Sequence, residues 1–421
     1  MAGLGKKTIF FTDGRRSDLV RLLWTACALV FVAGMVVYPR ITFEGAVTGL
    51  KTWWNIVFPA LIPFFIASEL LMSFGVVHFL GVLLEPVMRP LFNVPGAGSF
   101  VVAVGFTSGY PIGSMVTARL RSQSLCTRVE AERLMSFTNN SSPLFMLVAV
   151  AVGMFNNPGL GALITGAHYL SNITLGLLLR FYARRDPERV PGLPGGHGNP
   201  VILAFHRMLA VQREENRPLG KIMADAVRNA VTNLLNIGGF IILFAVLIRL
   251  LTATGFIDLL ASFLGVFLLP VGFAPEILPA LGSGVFEMTI GSKMASETAA
   301  PLLQQVVAVS MILAWSGLSV HAQAAAMVAG TDIRMAPFVF SRLIHTCLAG
   351  IYTYIFCHWA GPLIDPAAPA MTVAGEWQSL TYTYFNFKIF GFFIILLTTI
   401  ILLALLLHLA NSVRLRVLKI K

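Results

Sequence analysis

The sequence predicts an all-α polytopic membrane protein, with about eight transmembrane helices and two re-entrant hairpins in two inverted-topology repeats. Three observations carry this. Of the 421 residues, 57% are hydrophobic and only 12% charged, about half the charged share of a soluble domain. Apolar runs of spanning length recur along the chain, with the cations gathered on one side of them. The same order of elements occurs once in each half. The composition excludes a soluble globular enzyme, a disordered tail protein and a nucleic-acid binder. The net charge of +11 rests on 30 Lys and Arg against 19 acids, a balance that reflects where membrane proteins keep their cations. Cys27, Cys126, Cys347 and Cys357 lie in or beside apolar stretches without paired spacing, so neither a disulfide framework nor a zinc site is expected. The 37 Gly and 22 Pro suit helices that break inside a membrane.

A crossing needs roughly 20 apolar residues. Taken in order, the spans fall at 19–38, 53–74, 134–155, 160–182, 229–253, 302–329, 338–359 and 384–409. The first is too long, and too poor in small residues at its end, for a cleaved signal peptide. Clusters such as Lys6, Lys7, Arg15 and Arg16, then Arg119, Arg121, Arg128 and Arg133, fall on one side of an eightfold crossing. Arg334 and Arg342 flank the loop between the sixth and seventh spans on that same side, and the basic tail joins them. The opposite side receives Arg40 and Lys51 in one loop and no cation from 361 to 387. The positive-inside rule then puts both termini in the cytoplasm.

Two apolar stretches, 96–120 and 274–300, are interrupted in the middle by Gly, Pro or charge, and a single crossing through either would break the charge pattern. They read as hairpins that enter and leave by one side, with Gly109 and Gly284 approaching the midplane from opposite faces. Each follows an amphipathic interfacial segment, 76–92 and 256–269. The chain thus divides into 1–51 with the first span, repeat 1 over 52–182, a cytoplasmic linker over 183–228, repeat 2 over 229–360, and 361–421 with an external loop, the last span and the tail. GYPIGS echoes EMTIGS, and the Asn55 region echoes the Asn233 region. Three crossings per copy turn the second copy upside down, the architecture of secondary transporters with a midplane site.

Polar groups mark where that site forms. In the broken helix at 134–155, Thr138, Asn139, Asn140, Ser141 and Ser142 precede Pro143, which removes a backbone donor. The alternative there is a polar contact gluing two helices. The first hairpin carries Thr107, Ser108, Gly109, Tyr110, Gly113 and Ser114 around Pro111, a tip that would aim helix N-terminal N–H groups at an anion. The second carries Glu287 and Thr289. A buried Glu must be paired, protonated or cation-bound, and Lys293 is the candidate partner. The broken helix at 302–329 holds Ser316, Ser319, His321 and Gln323. Glu69 and Arg249 read as snorkelling or structurally paired groups. GxSxG, HExxH and P-loop motifs are all lacking, so no enzyme and no catalytic residue are expected.

The runs GFTSGYPIGS at 105–114 and FTNNSSPLF at 137–145, with the arginine-flanked segment to Glu132, resemble the Gate-domain, or nucleoside-recognition, membrane family. Within it they look like the YlbJ-type sporulation integral membrane proteins, which move dipicolinic acid. The likeness runs from about Leu22 to the last span, and the wider superfamily resembles concentrative nucleoside transporters. The resemblance implies a solute site at 107–114, 138–143, 286–292 and 316–323, and export of dipicolinate from the mother-cell cytoplasm across the outer forespore membrane. The expected partners are a small anionic solute and the lipid bilayer, with a homo-oligomer allowed and no nucleic acid. No cofactor or metal is expected beyond a coupling ion, sodium or a proton. The rival readings are a transporter of nucleosides or another small solute, and a spore-envelope assembly protein that transports nothing.

Overall fold

The computed structural model describes residues 10–143, 145–188, 200–214 and 217–359, and every regular element among them is helical. The expected last span and the loop before it lie outside the described residues. Helix α1 (Phe10–Val37) meets α2 (Pro39–Thr52), and a π turn (Trp53–Val57) leads into α3 (Phe58–Ser73). Then follow α4 (Val76–Phe92), α5 (Gly98–Ser108), α6 (Ile112–Ser122), α7 (Arg128–Thr138), a π-helical segment (Phe145–Met154), α8 (Gly159–Leu179) and α9 (Pro200–Glu214). The second half holds α10 (Leu219–Ala253), α11 (Phe256–Leu268), α12 (Leu278–Phe286), α13 (Met288–Ser296), α14 (Leu302–Trp315), α15 (Gly317–Val328) and α16 (Met335–Trp359). Among the described residues four helices are long and apolar enough to cross a membrane, or six if each bent pair counts as one span.

The order apolar helix, amphipathic helix, helix pair, broken helix, long helix occurs in both halves: α3 to α8, and α10 to α16. Both amphipathic helices, α4 and α11, start after a glycine in the left-handed region, Gly75 and Gly255. Three sequence expectations need correction. A loop was expected around Arg40 and Lys51, and the chain instead forms α2, at 105° to α1. Pro39 starts that helix with a preset φ, and Gly45 and Gly49 let it press on α10, where a Cβ would fall 3.0 Å from Val246 Cα and 2.8 Å from Ile242 Cα. The third span begins earlier, at Arg128, because Thr127 and Glu130 form a capping box. Helix α10 likewise begins at Leu219, inside the expected linker. Gly284 stands just before the second turn. It lies inside α12, where its backbone meets Gly291 of α13, and the turn falls at Glu287.

Buried apolar residues form two cores. One gathers α4 to α7 with parts of α10 and α15, and the other gathers the π-helical segment with α8, α11, α12 and α14. Each broken helix passes from one core to the other at its break, in opposite directions: α7 to the π-helical segment, and α14 to α15. The breaks therefore fall between the cores, where a cavity can form without exposing either.

Side chains hold the far end of the first core to the second half. Glu132, fully buried, accepts from Arg334 Nε at 2.7 Å and Nη2 at 3.1 Å, and from Tyr182 Oη at 2.9 Å. Arg121 donates to both oxygens of Asp332, at 2.8 and 2.7 Å. Glu69 takes Arg119 at 2.7 Å and Asn229 at 3.1 Å, the structural pairing expected of it. A Glu132→Ala variant should lose about 2–3 kcal/mol, less than a fully buried pair because Arg334 keeps water. Thermal unfolding in detergent checks this, with the exposed Arg40–Glu44 pair as the control whose loss should shift nothing measurable.

Candidate functional site

One cavity of about 740 Å³ is lined by both helix-pair turns and both broken helices. From the first pair come Ser108, Gly109 and Tyr110, and from the first break Ser141, Ser142 and Phe145. From the second pair come Glu287, Met288 and Thr289, and from the second broken helix Val320 and Gln323. The size lies in the range of small-molecule pockets.

Close backbone contacts lock these parts together. Gly109 takes φ +82 and ψ −168, and a Cβ there would fall 2.7 Å from Ser142 N. At the second break Ser316 and Gly317 take φ +69 and +77, and a Cβ on Gly317 would fall 2.9 Å from Glu287 Cα. Each turn thus rests on the break in its own half. Tyr110 crosses between halves, donating from Oη to Leu313 O at 2.7 Å, in the last turn of α14. Trp315 Nε1 donates to Val285 O at 3.0 Å.

Eight of the residues singled out from the sequence line this cavity: Ser108, Gly109, Tyr110, Ser141, Ser142, Glu287, Thr289 and Gln323. The other nine do not line it. Thr107 and Thr138 spend their hydroxyls on Ala103 O and Leu134 O of their own helices. Gly113 lets α6 press on the Thr138 carbonyl, where a Cβ would stand 2.6 Å away, and Ser114 is buried beside it. Asn139 and Asn140 are fully buried, with side-chain atoms that make no hydrogen bond. Ser319 accepts from Gln323 Nε2 at 3.2 Å. His321 donates to Gly317 O at 2.8 Å, and its ring packs between Trp315 and Phe338. Ser316 supplies the bend.

Glu287 is not paired with Lys293, which instead approaches Glu297 at 4.0 Å. Its backbone is extended, and Oε2 accepts the Ile290 N–H at 2.8 Å, so it caps α13. A capping carboxylate already neutralises the positive end of that helix, and the α13 terminus is not free for an anion. Ser142 likewise accepts from Phe145 N–H at 3.2 Å. A Ser142→Ala change removes this cap and a cavity hydroxyl and should cost about 1 kcal/mol of stability, read by thermal unfolding in detergent.

Sequence reasoning missed Asn55, Lys293 as a cavity-wall residue rather than a partner, and above all Arg342. Expected to flank a loop, Arg342 instead lies within α16 and is fully buried. It donates to Asn139 O at 3.1 Å and to Ser136 O, closing the last turn of α7. A third bond, at 3.1 Å, goes to His345 Nδ1, leaving His345 Nε2 to donate to His168 O at 3.2 Å. His168 Nε2 in turn accepts the Ser141 N–H at 3.2 Å. Side chains of α8 and α16 therefore grip the unwound segment on both flanks. The signal was a cation inside an apolar helix, one turn before a His.

A second cavity of about 570 Å³ lies farther along the same helices, lined by Met115, Arg119 and Ser122 of α6, Asn233 and Asn236 of α10, and Ala326 and Met327 of α15.

A family model described as Gate, nucleoside recognition, matches residues 55–168. The chain is 47% identical over 344 residues to a protein of Bacillus subtilis (strain 168) described as sporulation integral membrane protein YlbJ, spanning 81% of this chain and 82% of that one. It is 30% identical over 110 residues to an uncharacterized protein of Alkalihalophilus pseudofirmus, spanning 25% of this chain and 24% of that one. A solved structure of a CNTnw double variant in an outward-facing state aligns with 12% identity and a TM-score of 0.40, over 82% of this chain and 86% of that one.

Proposed function

This chain belongs to the YlbJ family of sporulation integral membrane proteins, and from that premise we propose that it is a secondary transporter, not an enzyme, carrying a small anionic solute. Dipicolinate is the solute, exported from the mother-cell cytoplasm across the outer forespore membrane. The observation that carries this reading is the convergence of both turns and both broken helices on one cavity. A scaffold protein has no need of four interrupted helices facing a common space, because each interruption at membrane depth leaves backbone groups to satisfy. The helix pairs α5–α6 and α12–α13 are re-entrant hairpins, and the two halves are inverted repeats.

The echoing asparagines support the inversion. Asn55 lines the first cavity and Asn233 the second, as equivalent residues of oppositely oriented copies should, one on each side of the midplane. By the charge pattern, the second cavity opens to the cytoplasm, where Ser122 and Thr331 line it. The first opens to the other face, where Thr52, Lys293 and Glu297 line it. A flat pyridine dicarboxylate fits the first with room for water. Vesicles reconstituted with the full chain should take up labelled dipicolinate saturably, and excess uridine should not compete. Uptake no greater than in empty vesicles overturns the reading, and competition by uridine moves it to nucleosides.

A further inference from the structure

On the reading that the chain carries an anionic solute, we propose that Arg342 is the positioning charge that makes the cavity select an anion, from behind the Ser141–Ser142 wall. A fully buried guanidinium at membrane depth is costly unless something answers its charge. Among the described residues, Arg342 bonds two carbonyls and an imidazole, with the Phe338 ring 5.3 Å from the guanidinium carbon. The carbonyls belong to the negative end of α7, which offsets part of the charge; no full negative charge is among these partners.

The place of that charge points to the cavity. The carbonyls it holds, of Ser136 and Asn139, lie in the turn of chain that leads into Ser141 and Ser142, which line the cavity. Tyr110, another cavity residue, lies beside the guanidinium. Arg342 Nε and the side-chain amides of Asn139 and Asn140 make no hydrogen bond within the protein, so donors are left over at this spot. Among the described residues, the cations that line the two cavities are already answered. Lys293 sits exposed at the rim near Glu297, Arg119 is held by Glu69, and the α13 terminus is capped by Glu287. A fixed positive charge in a low-dielectric setting acts on a carboxylate one layer away without touching it, and needs no rearrangement when the solute arrives.

The test compares pyridine-2,6-dicarboxylate with its neutral diamide in vesicles containing the full chain, wild type, Arg342→Gln or Arg342→Lys. Wild type should prefer the dianion. Arg342→Gln should shrink that preference at least about tenfold, or about 1.4 kcal/mol, and Arg342→Lys should keep most of it. A purely structural role would lower uptake of both solutes by the same factor in both variants, and that result overturns the proposal. If the variants do not elute as folded protein, competition against wild-type uptake decides: the dianion should outcompete picolinate, and picolinate the diamide. Equal competition overturns the proposal while leaving solute transport standing. Uptake of none of these compounds removes the solute reading and this proposal with it.

Discussion

A Gly109→Val variant is expected to reach the membrane folded and to lose dipicolinate uptake at least about a hundredfold. Valine has no comfortable place at φ +82, where strain costs about 1–3 kcal/mol. Its Cβ would fall 2.7 Å from Ser142 N and 2.8 Å from Ser142 Cβ, and such overpacking costs about 1–3 kcal/mol more. The turn must then lift off the break it rests on, and about 3 kcal/mol against the closed arrangement is a hundredfold. Initial uptake rates at matched protein content check this. Uptake near the wild-type rate would mean that the contact between Gly109 and Ser142 plays no part in transport.

The second large effect is expected at Glu287. An alanine there removes the cap of α13 and leaves the half-buried Ile290 N–H without its acceptor, together about 2–3 kcal/mol, so uptake should fall roughly thirty- to a hundredfold. Glutamine keeps an acceptor oxygen and removes the charge. Glu287→Gln should therefore retain uptake within about fivefold, and should lose any dependence of uptake on pH or sodium, because the carboxylate is where a coupling proton or cation would bind. An unchanged pH and sodium profile in that variant would leave Glu287 as a cap alone.

What could be read in the sequence follows from which physical signals are local. The two helix pairs and two breaks were legible because Gly, Pro and runs of polar residues at membrane depth interrupt a helix wherever they cluster. Helices α4 and α11 were legible from their amphipathic pattern. Helix α2 was not, because its packing on α10 depends on Gly45 and Gly49 meeting a partner two hundred residues away. The same limit applies to the site. A polar run shows that a helix breaks, but not which side chains then face the cavity. Ser141 and Ser142 turn to the cavity while Asn139 and Asn140 turn inward, a matter of one or two residues around an irregular turn. Arg342 was counted as a surface cation because it stands eight residues past Arg334, and only the course of α16 into the first core shows it buried.

The central claim, that both hairpin turns and both broken helices enclose one solute chamber, is tested most directly by solute protection of engineered thiols. Ser142→Cys and Thr289→Cys, each in a chain whose Cys27, Cys126, Cys347 and Cys357 are replaced, place a probe on each half of the cavity wall. An Asn172→Cys chain serves as the buried control. Both probes should react with an impermeant maleimide from the same face, and dipicolinate should slow both reactions at the concentration that half-saturates uptake, while the control does not react. Reaction of the two probes from opposite faces, or no protection of either by dipicolinate, would contradict a shared chamber.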